Sequence, residues 1–273
     1  MNNLIIVRGG GDMATAVIHR LWSAGMRVLA LEAVRPAAIR RQVSFSEAIY
    51  EGSATVEGVT AQRIEKPQEA EAVWRQGNVP IMVDPEGRAI RELRPAVVVD
   101  AIIAKKNLGM HMDMAPLTIA LGPGFCAGKD VHAVIETMRG HHLGRIIRQG
   151  YAQPDTGVPG KIGGYAAERV IHAPCAGRLR IRHAIGDMVE EGEVLAVIEH
   201  ETGETPVPAT ISGLLRGLIR DGFPVVRGFK IADIDPRREE FGNCFTISDK
   251  ARCISGSVLE LACACLYQRG EKR

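Results

Sequence analysis

Four features that would place the chain in a simple class are missing from its sequence. Its 273 residues include no apolar run approaching the roughly 18 residues of a transmembrane helix. The six cysteines form no Cys-x-x-Cys pair, which argues against a disulfide framework and favours reduced thiols. The net charge of +2 gives no reason to expect a nucleic-acid partner. The opening MNNLIIVRGGGD also lacks the basic and apolar regions of a signal peptide. We therefore expect a cytoplasmic protein that binds neither membrane nor nucleic acid.

Glycine, in contrast, is abundant, and its first cluster has a recognisable setting. A short apolar run, residues 4–7, predicts a buried strand, and residues 12–24 have the apolar spacing of a helix. Between them lies Gly9-x-Gly11-x-x-Ala14, the dinucleotide-binding fingerprint, and a second strand ends at Glu32. This pattern predicts a Rossmann-type βαβ unit. Its expected ligand contacts are Gly9, Gly10, Gly11, Asp12 and Met13 for a phosphate and Glu32 for a ribose hydroxyl.

The same residues allow a second interpretation, in which the fold is kept and the ligand is lost. Asp12 supports this alternative. A carboxylate in the first turn of a helix suits the helix dipole, but it repels a phosphate placed at the same point.

A second glycine-rich segment, residues 122–130, follows another predicted strand. It is not a Walker A loop, because Asp130 stands where that motif needs Ser or Thr and position 123 is Pro. Its expected binding residues are Gly122, Gly124 and Lys129, if the segment lines the ligand cleft. A purely structural turn remains equally open. Cys126 is a candidate nucleophile beside Lys129, although an incidental small residue in a turn is the better interpretation.

A third glycine-rich segment, residues 155–164, is either a linker or a loop that closes over the cleft with Lys161 as an anion partner. Beyond residue 169 the helical patterns disappear. Ala173, Gly177 and Leu179 recur as Ala209, Gly213 and Leu215, part of an internal repeat with an offset of 36 residues. Such a repeat predicts a small all-β module. Ser248 can cap a C-terminal helix.

Three segments together resemble a known family: RGGGDMATAVIHRLWSAGMRV, LTIALGPGFCAGKDVHAVIETMRGHHLGRIIRQG and TGVPGKIGGYAAERVIHAP. They resemble the YqeB-type accessory proteins of the selenium-dependent molybdenum hydroxylase system. The first segment is also loosely similar to XdhC-type maturation factors. The repeat region resembles a biotinyl/lipoyl-like barrel-sandwich hybrid, but residues 198–206, at the hairpin between the repeats, contain no lysine to carry a prosthetic group.

The expected fold class is therefore α/β. It consists of a Rossmann-like doubly wound parallel sheet (residues 1–165), a barrel-sandwich-hybrid-like β domain (166–238) and a C-terminal helical segment (239–273). The resemblance implies an accessory or maturation factor that binds a nucleotide form of the molybdenum cofactor and serves a molybdenum hydroxylase. The alternative is an NAD-dependent oxidoreductase, with NAD as the cofactor. Whether the chain is an enzyme and whether it forms a homo-oligomer are left open.

Overall fold

The structure is a computed structural model that describes residues 3–157 and 160–271. It divides into two compact units. The first contains the described parts of Met1–Pro36, Ser44–Asp155 and Ile247–Arg273, and the second contains Ala37–Val43 and Thr156–Thr246. The expected C-terminal segment is divided between these units, because it belongs to the first unit only from Ile247 onwards.

The first unit is built around one large sheet. Its helices are α1 (Asp12–Ser23), α2 (Ala48–Glu51), α3 (Ala70–Arg75), α4 (Arg88–Leu93) and α5 (Asp249–Glu271). Its strands are β1 (Ile5–Arg8), β2 (Val28–Glu32), β3 (Ser53–Val56), β4 (Val59–Ile64), β5 (Val79–Val83), β6 (Val97–Asp100), β7 (Leu117–Leu121), β8 (Cys126–Ala127), β9 (Ala133–Ile135), β10 (Ile146–Ile147) and β11 (Gly150–Tyr151).

The nine strands of this sheet run in the order β10-β9-β7-β6-β1-β2-β5-β4-β3. Strand β1 pairs in parallel with both β2 and β6, so the chain builds outwards from β1 in two directions. The central strands are almost fully buried runs of valine, isoleucine, leucine and alanine, as parallel strands require. A topology that reverses direction at β1 leaves a crevice beyond its carboxyl end.

The predicted fold class is wrong, because the sheet is mixed and not wholly parallel. Strands β3 and β4 pair antiparallel, as do β9 and β10, since each pair is joined by a link too short for a crossover. The described connections from β6 to β7 and from β7 to β9 also contain no α-helix. Instead, α5 returns from the end of the chain, packs along α1 and touches β7 and β9. The expected separate C-terminal segment is therefore a cover for this sheet.

The second unit is built from short β-strands. Its strands are β12 (Val170–His172), β13 (Gly177–Ile181), β14 (Met188–Val189), β15 (Val194–His200), β16 (Gly203–Pro208), β17 (Gly213–Leu218), β18 (Pro224–Val225) and β19 (Lys230–Asp235). They form two four-stranded antiparallel sheets, β12-β19-β17-β14 and β16-β15-β13-β18. The finding is a pair of antiparallel sheets, where a barrel-sandwich hybrid was expected.

The 36-residue offset relates the strands of the two sheets. Strands β13, β14 and β15 of the first half correspond to β17, β18 and β19 of the second. In each half the short middle strand pairs with the other half, since β14 pairs with β17 and β18 pairs with β13. The halves therefore hold each other in place. Gly177 and Gly213 are equivalent positions with φ +157°, and a Cβ at either would collide with the backbone oxygen of Glu199 or Asp235.

Candidate functional site

The candidate site lies in the first unit, where β1 and β6 end side by side. The loops that follow these strands touch each other, because a Cβ on Gly9 would lie 3.0 Å from the Ala101 carbonyl oxygen. The loop after β7 joins them, because a Cβ on Gly124 would lie 2.6 Å from the Lys106 nitrogen. Backbone packs directly on backbone at both glycines. Three loops therefore form one continuous wall at the carboxyl edge of the sheet.

The glycines of the first loop have different surroundings. Gly9 faces the Ala101 backbone, and Gly10 is enclosed by Ser46, Glu32 and Ile81 at 3.0–3.1 Å from where a Cβ would lie. At Gly11, in contrast, no described atom lies within 4 Å of that point. The fingerprint predicts that a ligand packs closely against these glycines. At Gly9 and Gly10 other parts of the protein occupy that space. Gly11 alone among these three glycines faces open space, directly before α1.

Glu32 holds the glycine loop in place. Its two carboxylate oxygens accept 2.6 Å bonds from the N–H groups of Gly10 and Ala33. Burial raises the pKa of Glu32, although these two backbone bonds pull it downwards. The N–H of Gly10 is thereby taken, and the predicted ribose contact at Glu32 stays a prediction. In this structure the Glu32 carboxylate serves to shape the loop.

The start of α1 is only partly capped. The Asp12 carboxylate accepts a 2.9 Å bond from the Met13 N–H, and Gly11 has no side chain to cap the helix. Within the described part of the chain, the N–H groups of Gly11 and Ala14 have no acceptor. Ala14 has no exposed surface. Buried backbone donors are almost always paired, so a further acceptor is expected here.

The loop after β6 is strained next to this opening. Ile103 has φ +58° and Lys105 has φ +59°, a left-handed conformation that is a true outlier for a β-branched residue. Lys105 Nζ lies 2.6 Å from a carboxylate oxygen of Asp155. Such strain costs on the order of 1–3 kcal/mol for each residue and is found most often at functional sites.

Lys250 is a site residue that the sequence analysis missed. It is half-buried in the first turn of α5, in the field of the Asp12, Asp155 and Glu136 carboxylates. Burial and the neighbouring Arg139 guanidinium lower the pKa of Lys250, against the attraction of those three carboxylates. A cation in the first turn of a helix opposes the helix dipole. That conflict with local preference is the one sequence signal that could have identified Lys250.

The second glycine-rich segment is mainly structural. A Cβ on Gly122 would lie 2.7 Å from the Thr137 hydroxyl oxygen, so this glycine is needed for packing. Lys129 is exposed on a tight turn that the Asp130 carboxylate closes through the Cys126 N–H at 2.8 Å. Cys126 contacts Tyr151 on the neighbouring strand, and their hydrogen bond raises the pKa of the Tyr151 hydroxyl. A contact between Lys129 and a ligand stays a prediction.

Lys161 is exposed in the second unit, and its predicted role in closing the cleft stays a prediction. Residues 158 and 159 of the same glycine-rich segment lie outside the described residues. Across residues 3–157 and 160–271, no group of three or more His, Cys, Asp or Glu side chains is placed to hold a metal. None of the helices described there is long and apolar enough to cross a membrane.

Comparison with known proteins gives one strong match in sequence. The chain is 51% identical over 267 residues to YqeB of Escherichia coli (strain K12), an alignment that covers 98% of this chain and 48% of YqeB. The chain therefore spans about half the length of this relative. No protein-family model matches the chain.

The similar solved structures are far more distant. The ectoine utilization protein EutE (DoeB) of Ruegeria pomeroyi is 11% identical with a TM-score of 0.28, over 84% of this chain and 85% of that one. An aspartoacylase family protein of Mesorhizobium loti is 11% identical, also with a TM-score of 0.28, over 85% and 83%. A succinylglutamate desuccinylase/aspartoacylase of Rhodobacter sphaeroides is 14% identical with a TM-score of 0.28, over 85% and 84%. Scores this low support no activity for this chain.

The expected function is corrected by these findings. A nucleotide-binding accessory factor for a molybdenum hydroxylase was predicted, with an NAD-dependent oxidoreductase as the alternative, and this prediction is wrong. The similar solved structures carry the names of other protein classes. The site also differs, because carboxylates of Glu32 and Asp12 occupy two of the N–H groups that a pyrophosphate would use. The expected hydroxylase partner and cytoplasmic location stay predictions.

Proposed function

The chain is a YqeB-type sequence over nearly its whole length, and we propose that its first unit binds a small anionic molecule between Gly11 and Lys250. The sequence identity to YqeB confirms that part of the family resemblance. It does not show a link to the molybdenum hydroxylase system. The proposal concerns the half of YqeB that this chain spans. It rests on one observation, which is the open space at Gly11 in a loop whose other glycines are enclosed by protein.

The backbone at Gly11 explains why this space is a binding feature. Its φ is −65° and its ψ is −178°, an extended conformation that any residue can adopt. Glycine is therefore not needed there for the turn, unlike Gly9 with φ +105°. The absence of a side chain at Gly11 keeps the head of α1 accessible to a ligand.

The chemistry of this opening favours a negative group. The N–H group of Gly11 is free to donate, and the positive end of the α1 dipole lies at the same place. Lys250 adds an amine that can donate a charge-assisted bond. Its positive charge also offsets the repulsion that Asp12 exerts on an incoming anion.

Calorimetric titration tests this proposal. Inorganic phosphate and acetate are added to the wild-type chain and to Gly11→Val, which fills the opening without backbone strain. We expect saturable binding of at least one of these anions by the wild type and a loss of affinity of about tenfold or more in Gly11→Val. Gly242→Val is the matched control, because Gly242 also has open space around it and lies in the second unit. Equal affinities in all three proteins would contradict the proposal.

A further inference from the structure

A second cavity lies in the first unit, away from Gly11. It is an open groove of about 900 Å³ along α4, and it also reaches Pro95 and Pro116, which precede β6 and β7. It is therefore associated with the amino ends of those strands, whereas Gly11 follows the carboxyl end of β1. Its volume is within the range of small-molecule pockets, which is roughly 300–1,000 Å³.

An arginine in this groove has an unused donor. Arg269, near the end of α5, lines the groove, and its Nε atom is buried without an acceptor among the described residues. A buried guanidinium N–H needs an acceptor, and an anion supplies the strongest bond. Two further arginines, Arg91 and Arg94, line the groove and are exposed. The groove thus carries more positive than negative side chains, its acids being Glu86 and Asp113.

His132 adds a donor whose identity follows from its partners. The Thr118 backbone N–H, which can only donate, lies 3.1 Å from His132 Nδ1, and the Thr118 hydroxyl lies 2.9 Å from the same atom. Nδ1 must therefore accept, and the proton of the neutral ring is on Nε2. Because His132 lines the groove, that Nε2–H is available to a ligand there.

The rest of the lining is apolar. Ile90 lies on α4, and Met112 and Met114 flank Asp113 in the segment before β7. Methionine side chains adapt to irregular shapes, so these residues suit a planar or branched apolar body. We propose that this groove is a second binding site, for an amphiphilic anion with an aromatic or aliphatic body and a carboxylate or phosphate group. The anionic group bonds to Arg269 and to His132 Nε2–H, and the body packs on Met112 and Met114.

The experiment uses the full chain and the fluorescent probe 8-anilinonaphthalene-1-sulfonate, an aromatic anion whose sulfonate stands in for the carboxylate or phosphate. We expect saturable binding by the native protein and displacement by phenyl phosphate or benzoate, and the stronger competitor identifies the preferred group. Arg269→Gln is expected to weaken binding about tenfold, and Arg148→Gln, at an exposed arginine of the same unit, to leave it unchanged. His132→Asn keeps an acceptor for the Thr118 N–H and removes the Nε2 donor, so it too should weaken binding.

The outcomes are separable from those of the first site. Arg269 and His132 lie away from Gly11, so a loss of probe affinity in their variants reports on the groove whether or not the first site exists. The inference is overturned if Arg269→Gln and His132→Asn both bind the probe with wild-type affinity while their thermal unfolding is unchanged. It is also overturned if the probe binds only as the protein unfolds, or if size-exclusion chromatography shows the groove variants to differ in oligomeric state, which would make the groove an interface between copies.

Discussion

Arg8 and Asp100 are register partners at the ends of β1 and β6, and they form a buried ion pair with 3.2 Å between nitrogen and oxygen. Arg8 also donates to the carbonyl oxygens of Pro85 and Leu108, and Asp100 accepts from the Ile102 N–H. The pair therefore fixes the loops after β1, β5 and β6 at the point where the candidate site opens. Burial raises the pKa of Asp100, despite the attraction of Arg8.

Breaking this pair should be costly. Asp100→Asn is expected to lower the free energy of unfolding by about 3 kcal/mol, because the Arg8 guanidinium stays buried without its counter-charge. Arg8→Met should cost at least as much, since it also removes the bonds to Pro85 and Leu108. The double variant should lose clearly less free energy of unfolding than the sum of the two single losses, as measured by urea denaturation. Additive losses would show that the pair is not a coupled unit.

Glu32 is expected to stabilise the glycine loop, although it lies at the end of the next strand along the chain. Glu32→Gln replaces one acceptor oxygen by an amide that cannot accept from a backbone N–H. We expect a loss of about 1–3 kcal/mol in the free energy of unfolding and altered amide resonances at Gly10 and Ala33. Glu86→Gln, at an exposed carboxylate, is the control. A melting temperature of Glu32→Gln equal to that of the wild type would contradict the role of Glu32 in holding the loop.

Glu57 gives a pH-dependent prediction. Burial opposes its charged form, but the Ile247 N–H at 2.8 Å and the Arg252 guanidinium at 2.6 Å outweigh that effect and lower the pKa of Glu57. A carboxyl whose pKa is lowered by folding stabilises the protein above its unfolded pKa and loses that contribution as the pH falls through its folded pKa.

The corresponding experiment compares Glu57→Gln with the wild type. We expect the variant to be less stable by roughly 1 kcal/mol at pH 7, since the pair is partly exposed. The difference should shrink as the pH falls below the unfolded pKa of about 4.3 and through the lower folded pKa of Glu57. A difference that is constant between pH 7 and pH 3 would contradict this electrostatic explanation.

The repeat makes a matched pair of predictions in the second unit. Gly177→Ala and Gly213→Ala each force a Cβ against a backbone oxygen, and both should lower the free energy of unfolding by more than about 2 kcal/mol. Gly192→Ala has open space around it and should cost only the roughly 1–2 kcal/mol of its positive φ. Thermal melts of the three variants give the comparison. Similar losses in all three would show that the collision at the equivalent positions is relieved.

The sequence predicted local elements well where apolar runs are bounded by glycine. The strand–glycine–helix order of residues 5–23 was expected almost residue for residue, since it depends on short-range patterns. The apolar pattern of residues 56–64 predicts one strand, but this segment contains the turn of the β3–β4 hairpin, where Glu57 has φ +46°. The Glu57-Gly58 pair was a turn signal that the apolar pattern concealed.

Long-range features could not be predicted in the same way. The two N–H groups bound by Glu32 and the approach of Lys250 to Asp12 depend on tertiary packing, and no local pattern encodes them. The glycine fingerprint also assigned to a ligand the close approaches that Ala101 and Ser46 make to Gly9 and Gly10. The fold class failed for a related reason, because α5, at the far end of the chain from β1, covers the sheet where crossover helices were expected.

Lys250→Met should separate binding from stability. Because folding lowers the pKa of Lys250, the folded state binds fewer protons than the unfolded state between the two pKa values, so this residue costs stability below that range. The variant should therefore melt at the wild-type temperature or slightly above it at pH 7, and the difference should vanish as the pH rises towards about 10. A marked drop in melting temperature would show that Lys250 is structural.

The amide resonances of Gly11 and Ala14 during a titration with inorganic phosphate test the central claim most directly. In the wild type, both resonances should shift with one saturable affinity, because phosphate accepts from the Gly11 N–H and brings its charge to the first turn of α1, where Ala14 lies. In Lys250→Met the phosphate affinity obtained from the same resonances should be lower by at least about tenfold, while the protein remains as stable as the wild type. Phosphate-independent resonances in the wild type, or equal titrations in the two proteins, would contradict an anion site between Gly11 and Lys250.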